Sequence, residues 1–212
     1  MAKDAAIESV FGFRGAGKTT YVKHKTKTET RLFVWDPMEE FGEGDKIKRL
    51  STADIVPTLK RARTRNIRAA YTPGRGQEAS HFATLCEALM AMQQAYKDRE
   101  EGEKITFVVD EADTVYGRTV PNGHPFAELV RRGRHYGIEI IVCTQFPTQI
   151  QPDVRRNSLR TVIFPLGDAS AMDYVTTFMG KEHREAVRSL QPHNALIYSA
   201  GNVTSYANPP LK

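Results

Sequence analysis

The chain has 212 residues, of which 40% are hydrophobic and 26% are charged, and its formal net charge is +5. This composition excludes a disordered chain, and no apolar run is long enough to span a bilayer. We therefore expect a single cytoplasmic domain over 1–212, with its core at about 5–166 and C-terminal helices and a hairpin at 167–212. The basic charge is compatible with contact to a polyanion.

The first half of the chain alternates strands with helices. Residues 5–11 predict a strand, a glycine-rich turn follows, and a helix begins at Lys18. The later elements expected in this half are a strand at 32–36, a helix at 52–65, a short strand at 68–71, an amphipathic helix at 80–97 and a strand at 105–109. The run at 105–109 is wholly apolar, except for Thr106, as is typical of a parallel strand covered by helices on both faces.

The second half continues the alternation and ends in a hairpin. Its expected elements are a helix at 126–135, strands at 138–143 and 159–164, short helices at 168–179 and 182–190, and paired strands at 194–199 and 203–207 joined through Gly201 and Asn202. The whole pattern predicts an α/β fold, with a mostly parallel central sheet flanked by helices and a short C-terminal β-hairpin.

A phosphate-binding loop is the clearest motif. The segment GFRGAGKT at 12–19 matches GxxxxGK[ST] and stands directly after a predicted strand and before a helix. Glycines let such a loop curl so that its N–H groups point inward, and the helix N-terminus adds partial positive charge. We expect Lys18 to reach the β and γ phosphates of ATP and the Thr19 hydroxyl to bind Mg²⁺. The predicted ATP-binding residues are Gly12, Arg14, Gly15, Ala16, Gly17, Lys18, Thr19 and Thr20.

Polar residues end two neighbouring predicted strands, at the carboxyl edge where the phosphate loop also lies. We expect Asp110 to hold the Mg²⁺ shell and Glu111 to orient and polarise the attacking water. Asp113 is interpreted as a helix cap or as a group that supports the metal-binding carboxylate. Gln145, after the strand at 138–143, is expected to contact the γ phosphate or the water. A carboxylate placed for water favours hydrolysis over phosphoryl transfer.

The order of these motifs carries a resemblance to a known superfamily. VWDP at 34–37 and VVDEA at 108–112 precede RGRHYGI at 132–138, which leads into CTQ at 143–145. This order resembles the FtsK-HerA superfamily of DNA-pumping ATPases over about 5–166. The compact length looks most like the genome-packaging ATPases of membrane-containing icosahedral viruses and phages.

The resemblance implies a RecA-like (ASCE) P-loop core in a homo-oligomeric ring, a hexamer or pentamer, with double-stranded DNA in its channel. It also implies a genome-packaging translocase in the host cytoplasm or at a packaging vertex of the virion, where a capsid or vertex protein is a further partner. An arginine from the neighbouring subunit would stabilise transition-state charge. Arg160 lies where FtsK-like members carry such an arginine, and Arg131, Arg132 and Arg134 compete for the role.

Two other functions fit parts of the sequence. A motor like the Zot-type ATPases of filamentous phages would extrude single-stranded DNA at a membrane, but those proteins usually carry a transmembrane segment. A small phosphotransferase would need an arginine-rich lid, which the basic run from Lys60 to Arg75 could supply. Glu111 and Gln145 favour water as the acceptor over a second substrate.

Overall fold

A computed structural model of the chain describes residues 6–62, 65–99, 102–121 and 123–209. The strands of this part of the chain are β1 Ile7–Phe11, β2 Arg31–Trp35, β3 Lys48–Leu50, β4 Ile67–Tyr71, β5 Ile105–Val109, β6 Ile138–Thr144, β7 Ser158–Ile163, β8 Asn194–Ser199 and β9 Asn202–Ala207. They form one sheet in the order β3-β4-β2-β5-β6-β1-β7-β8-β9. Strands β1 to β7 pair in parallel, whereas β8 and β9 join antiparallel. The predicted fold class is confirmed.

Helices flank the sheet. They are α1 Lys18–Lys25, α2 Ile55–Ala62, α3 Glu78–Met92, α4 Gln94–Arg99, α5 Pro125–Arg132, α6 Pro152–Asn157, α7 Ala169–Met179 and α8 Arg184–Arg188. Short 3₁₀ helices lie at Glu43–Asp45, Thr52–Asp54, Ala112–Thr114, Gly133–Tyr136 and Lys181–His183. Among the described residues, no helix has the length and apolar character that crossing a bilayer requires.

The core lies on both faces of the sheet because strand residues alternate in direction. Phe107 and Val109 of β5 pack with Trp35 and the apolar faces of α2, α3 and α5. Val108, between them, packs on the other face with Val34 and with residues of α1. All residues of β1, β2 and β5 are buried, as the apolar runs predict for central parallel strands.

The strand order positions the functional residues. Strand β6 lies between β1 and β5, so three neighbouring parallel strands end at the same edge of the sheet. The phosphate loop follows β1, Gln145 follows β6, and Asp110 and Glu111 follow β5. This edge is where ligands bind in open parallel sheets.

Four predicted helices differ from those in the structure. The helix expected over 126–135 ends at Arg132 and continues as a 3₁₀ helix, and the helix expected over 182–190 divides into a 3₁₀ turn and α8, which ends at Arg188. The helix expected over 80–97 is interrupted at Gln93, whose buried side chain donates to the carbonyls of Glu103 and Tyr136 at 3.1 and 3.0 Å. The helix expected over 52–65 begins as a 3₁₀ turn, and its α-helical part, α2, ends at Ala62. Residues 63 and 64 of that prediction, and Ala5 of the first predicted strand, lie outside the described residues.

Four features of the sheet and its connections were not predicted. Strand β3 has three residues, two of them exposed, and α6 has six residues, so neither leaves a clear periodic pattern. The hairpin turns at Ala200 and Gly201, both with positive φ, one residue earlier than predicted. The hairpin also extends the main sheet, because β8 pairs with β7.

Candidate functional site

The phosphate loop presents unpaired backbone donors. Gly15 and Gly17 have φ of 81° and 112°, a region in which glycine is favoured, and α1 starts directly after them at Lys18. The N–H groups of Gly15, Gly17, Lys18 and Thr19 have no hydrogen-bond acceptor among the described residues. Unpaired N–H groups at a helix start are suited to bind an anion.

Lys18 and Thr19 are tied to their surroundings by side-chain hydrogen bonds. The ammonium group of Lys18 donates to the carbonyl of Gly12 at 2.8 Å and to that of Phe13 at 3.2 Å, across the loop. The hydroxyl of Thr19 donates to the Glu40 carboxylate at 2.5 Å. Both side chains are therefore held beside the unpaired N–H groups of the loop.

A cavity of about 330 Å³ opens at this edge of the sheet. Its lining includes Asp110, Glu111 and Gln145, together with the predicted loop residues Arg14, Gly15, Gly17, Lys18, Thr19 and Thr20. The other two predicted ATP-binding residues lie in the same loop. Gly12 offers its carbonyl to Lys18, and Ala16 is buried behind the loop. The sequence therefore predicted a set of residues that the fold brings together.

Asp110 is a buried acid in an acidic setting. Burial, which is the largest cause, and the negative charges of Glu111 and Glu40 together raise the pKa of Asp110 to about 7, although Lys18 opposes the shift. A nearby cation would stabilise the ionised form. The oxygens of Asp110, Glu40 and Thr19 are the hard donors that Mg²⁺ prefers.

The donor set at this edge fits a magnesium ion that also binds phosphate. In the part of the chain that the structure describes, no group of three or more His, Cys, Asp or Glu side chains could hold a metal ion. Mg²⁺ in nucleotide sites commonly uses one or two protein carboxylates and completes its shell with phosphate oxygens and water.

Glu111 and Gln145 form a pair across the ends of β5 and β6. The Gln145 amide donates to a Glu111 carboxylate oxygen at 2.5 Å. Glu111 has φ of 46°, which is uncommon for residues other than glycine and is often seen at functional sites. Asp113 accepts a hydrogen bond from the Thr144 hydroxyl, so it ties the turn after β5 to the end of β6. Asp113 thus supports the pair and makes no side-chain cap of its 3₁₀ helix.

The candidate finger arginines lie away from this cavity, toward the amino ends of the strands. Arg160 of β7 stands opposite Glu8 of β1, and its guanidinium lies 3.5 Å from the Glu8 carboxylate. Arg131 and Arg134 line a groove of about 440 Å³ with Leu159, whereas Arg132 pairs with Glu128 at 3.1 Å on the surface of α5.

The basic run that would form a phosphotransferase lid is also elsewhere. None of the described residues between 60 and 75 lines the cavity beside the phosphate loop. The guanidinium of Arg68 instead donates to the carbonyls of Thr26, Glu29 and Asp45, which holds β4 to the turn after α1.

Three residues of the site were not predicted from the sequence. Glu40 and Met38 reach the cavity because the Asp36 carboxylate accepts the N–H groups of Glu40 and Phe41, both at 2.9 Å, and folds the loop after β2 inward. The Asp36-Pro37 pair signals a turn but does not indicate which following acid enters the site. His193 comes from the turn before β8, and no local pattern marks it.

Comparisons with known proteins agree with this geometry. No protein-family model matches the sequence. Protein P9 of Pseudoalteromonas phage PM2 is 26% identical over 166 residues, which cover 76% of this chain and 69% of that protein. The genome packaging NTPase B204 of Sulfolobus turreted icosahedral virus 2, in complex with ATP-gammaS, matches all of both chains with a TM-score of 0.76 and 19% identity.

A second solved structure has a similar fold. VirB4 of Thermoanaerobacter pseudethanolicus has a TM-score of 0.69 and 11% identity, over 96% of this chain and 89% of that one. The resemblance that the motifs predict is confirmed at the level of the fold, which this chain shares with B204 and which is that of the RecA-like P-loop proteins.

Proposed function

We propose that this chain is an Mg²⁺-dependent ATPase that translocates double-stranded DNA and packages a viral genome, acting as one P-loop domain. The observation that carries the proposal is the meeting of the phosphate loop, Asp110 and the Glu111–Gln145 pair at one cavity. Such a set of groups is suited to hydrolyse a nucleoside triphosphate. Similarity to B204, described as a genome packaging NTPase, supports the choice of function.

The residues of the cavity divide the chemistry among them. The loop N–H groups and Lys18 bind the β and γ phosphates, and Thr19 and Asp110 hold Mg²⁺, with the Glu40 carboxylate beside them. Bound Mg²⁺ neutralises charge that develops on the phosphate oxygens. Glu111 orients a water and accepts its proton as the oxygen attacks the γ phosphorus and ADP leaves. Gln145 holds the Glu111 carboxylate in place.

The two ends of the sheet suit a head-to-tail ring. The cavity edge carries carboxylates and the exposed Met38 and Phe146, whereas the opposite edge carries the exposed Leu159 beside the candidate arginines. A contact that joins unlike surfaces repeats around a ring if its rotation closes, here with five or six subunits. In such a contact Arg160, Arg131 or Arg134 would meet the γ phosphate bound by the neighbouring subunit.

The chain would grip DNA mainly through phosphates, because a packaging motor has to accept any sequence. Its net charge of +5 favours such contact. We place the protein in the host cytoplasm or at a packaging vertex of the virion, where it would meet a capsid or vertex protein.

Measurement of ATP turnover with and without duplex DNA tests this proposal. At low salt, long duplexes should stimulate the assembled wild-type protein, and stimulation should fall steeply as salt rises. Lys18→Ala, which lacks the phosphate-binding ammonium, is the control for contaminating ATPases. Turnover that does not respond to duplex DNA would refute translocation, and stimulation only by single strands would favour the Zot-like alternative.

A further inference from the structure

The base of the C-terminal hairpin lies against the back of the phosphate loop. The N–H of His193 donates to the carbonyl of Ala16 at 2.8 Å. The N–H of Asn208 donates to the carbonyl of His193, also at 2.8 Å, and the Asn208 side-chain amide donates to the carbonyl of Gly17 at 2.9 Å. Two consecutive loop carbonyls are therefore held by residues that stand more than 170 positions away in the sequence.

These contacts bear on phosphate binding through the geometry of the peptide unit. In a planar trans peptide the C=O and the following N–H point in opposite directions. Fixing the carbonyls of Ala16 and Gly17 consequently fixes the N–H groups of Gly17 and Lys18, two of the unpaired donors of the loop. The hairpin contacts thus set the direction of groups that would bind phosphate.

Asn208 fits closely against the loop. A Cβ placed on Gly17 would lie 2.6 Å from the Asn208 amide nitrogen and 3.0 Å from the Cα of His193. The hairpin is anchored nearby, because the Tyr206 ring packs edge-on against Tyr21 of α1 with centroids 5.0 Å apart. The carbonyl of Gly17 accepts two hydrogen bonds, from the Tyr21 N–H and from Asn208, so loss of Asn208 leaves it held only by the helix.

We propose that Asn208 is a positioning residue for phosphate binding, which acts through the Gly17 peptide and does not touch the nucleotide. The inference rests on the proposed function, since it requires nucleotide to bind at this loop. Asn208 connects the hairpin at the edge of the sheet to the phosphate loop. Asn208 should accordingly affect affinity for the polyphosphate part of the ligand, whatever base is attached.

Calorimetric binding of ATP and of inorganic tripolyphosphate to Asn208→Ala tests the proposal. A net hydrogen bond of this kind corresponds to roughly a five- to tenfold change in an equilibrium constant. We expect Kd for both ligands to rise by that factor, equally for the two, while turnover at saturating ATP stays within about twofold. Asn202→Ala, at the far end of the same hairpin, is the matched control and should bind as the wild type does.

A merely structural role predicts a different result. If the substitution only unfolded part of the sample, the number of binding sites would fall while Kd of the folded fraction stayed the same. Asn208→Asp provides a second variant of almost equal size. It replaces the N–H donor with a carboxylate oxygen, which repels the Gly17 carbonyl. We expect it to weaken both ligands more than alanine does, with Asn202→Asp as its charge-matched control.

Three outcomes would overturn the inference while leaving the proposed function intact. They are unchanged Kd for both ligands, a loss of ATP affinity without a loss of tripolyphosphate affinity, and a loss of sites at constant Kd. The second would indicate contact with the nucleoside. Failure of the wild-type protein to bind either ligand would instead refute nucleotide binding at the loop, and with it the proposed function.

Discussion

Replacement of Gly17 by alanine perturbs the phosphate loop in two separable ways. Its φ of 112° costs an alanine about 1–2 kcal/mol. Its new Cβ would also collide with Asn208 and His193, at 2.6 and 3.0 Å, so the hydrogen bond from Asn208, worth about 1 kcal/mol, would be lost and the backbone would have to move. Alanine also lowers the conformational entropy of the unfolded chain, which stabilises the folded protein by about 0.4–1 kcal/mol. We therefore expect a net destabilisation of about 2–4 kcal/mol.

Two other glycines provide matched controls for the cost of positive φ alone, without the collision of the new Cβ. Gly15 and Gly201 have φ of 81° and 82°, and a Cβ on either would meet nothing within 4 Å. Each alanine variant should therefore lose only about 0.5–1.5 kcal/mol. The free energy of unfolding is measured by urea titration, with equal m-values required for the comparison.

The difference between these variants measures how closely the hairpin approaches the loop. Gly17→Ala should be less stable than both controls by about 1–3 kcal/mol. A loss no greater than that of Gly201→Ala would refute the close approach of Asn208 and His193 to the loop. It would also remove the structural basis for Asn208 as a positioning residue.

The remaining predictions concern the nucleotide, the ring and the core. Lys18→Ala should weaken ATP binding by about 100-fold or more, because a charged hydrogen-bond donor to phosphate is lost, and equilibrium binding checks this; wild-type affinity would contradict the role of Lys18. Arg160→Ala should lower turnover by about 10³-fold. Mixing it with Lys18→Ala chains should restore activity, because the Lys18→Ala chain supplies the arginine and the Arg160→Ala chain supplies the intact phosphate loop. No recovery in mixed assemblies would argue against Arg160 as the finger, and Arg131 and Arg134 are tested in the same way. Phe82→Ala, at a fully buried ring 5.0 Å from that of Trp35, should cost about 3–5 kcal/mol in urea unfolding; a loss below about 1 kcal/mol would contradict the packing.

The centre of the site could be predicted because each of its parts is a short run of consecutive residues. The phosphate loop joins a strand to a helix within one uninterrupted motif, and Asp110 and Glu111 directly follow an apolar strand. Parallel strands end at one edge, so Gln145 could be assigned to the same place without knowledge of the strand order. The finger arginines could not be chosen in this way, because their role depends on a second copy of the chain.

The rest of the site depends on contacts that no local pattern encodes. Glu40 enters the cavity through a turn set by the Asp36 side chain, and any of several acids in that loop could have occupied its place. His193 and Asn208 reach the phosphate loop only because the hairpin continues the sheet beyond β7. The break at Gln93 likewise follows from its long-range hydrogen bonds and not from its helix propensity.

In the proposed reaction, Glu111 activates water for attack on a nucleotide bound beside it. Glu111→Gln keeps an oxygen that can accept the hydrogen bond from Gln145 but removes the base, so turnover should fall by about 10²–10⁴-fold while ATP still binds. Asp113→Asn makes the same chemical change two residues away, where the new amide oxygen can still accept from Thr144, and it should keep turnover within a few-fold of wild type. Wild-type turnover by Glu111→Gln would show that Glu111 is not the base.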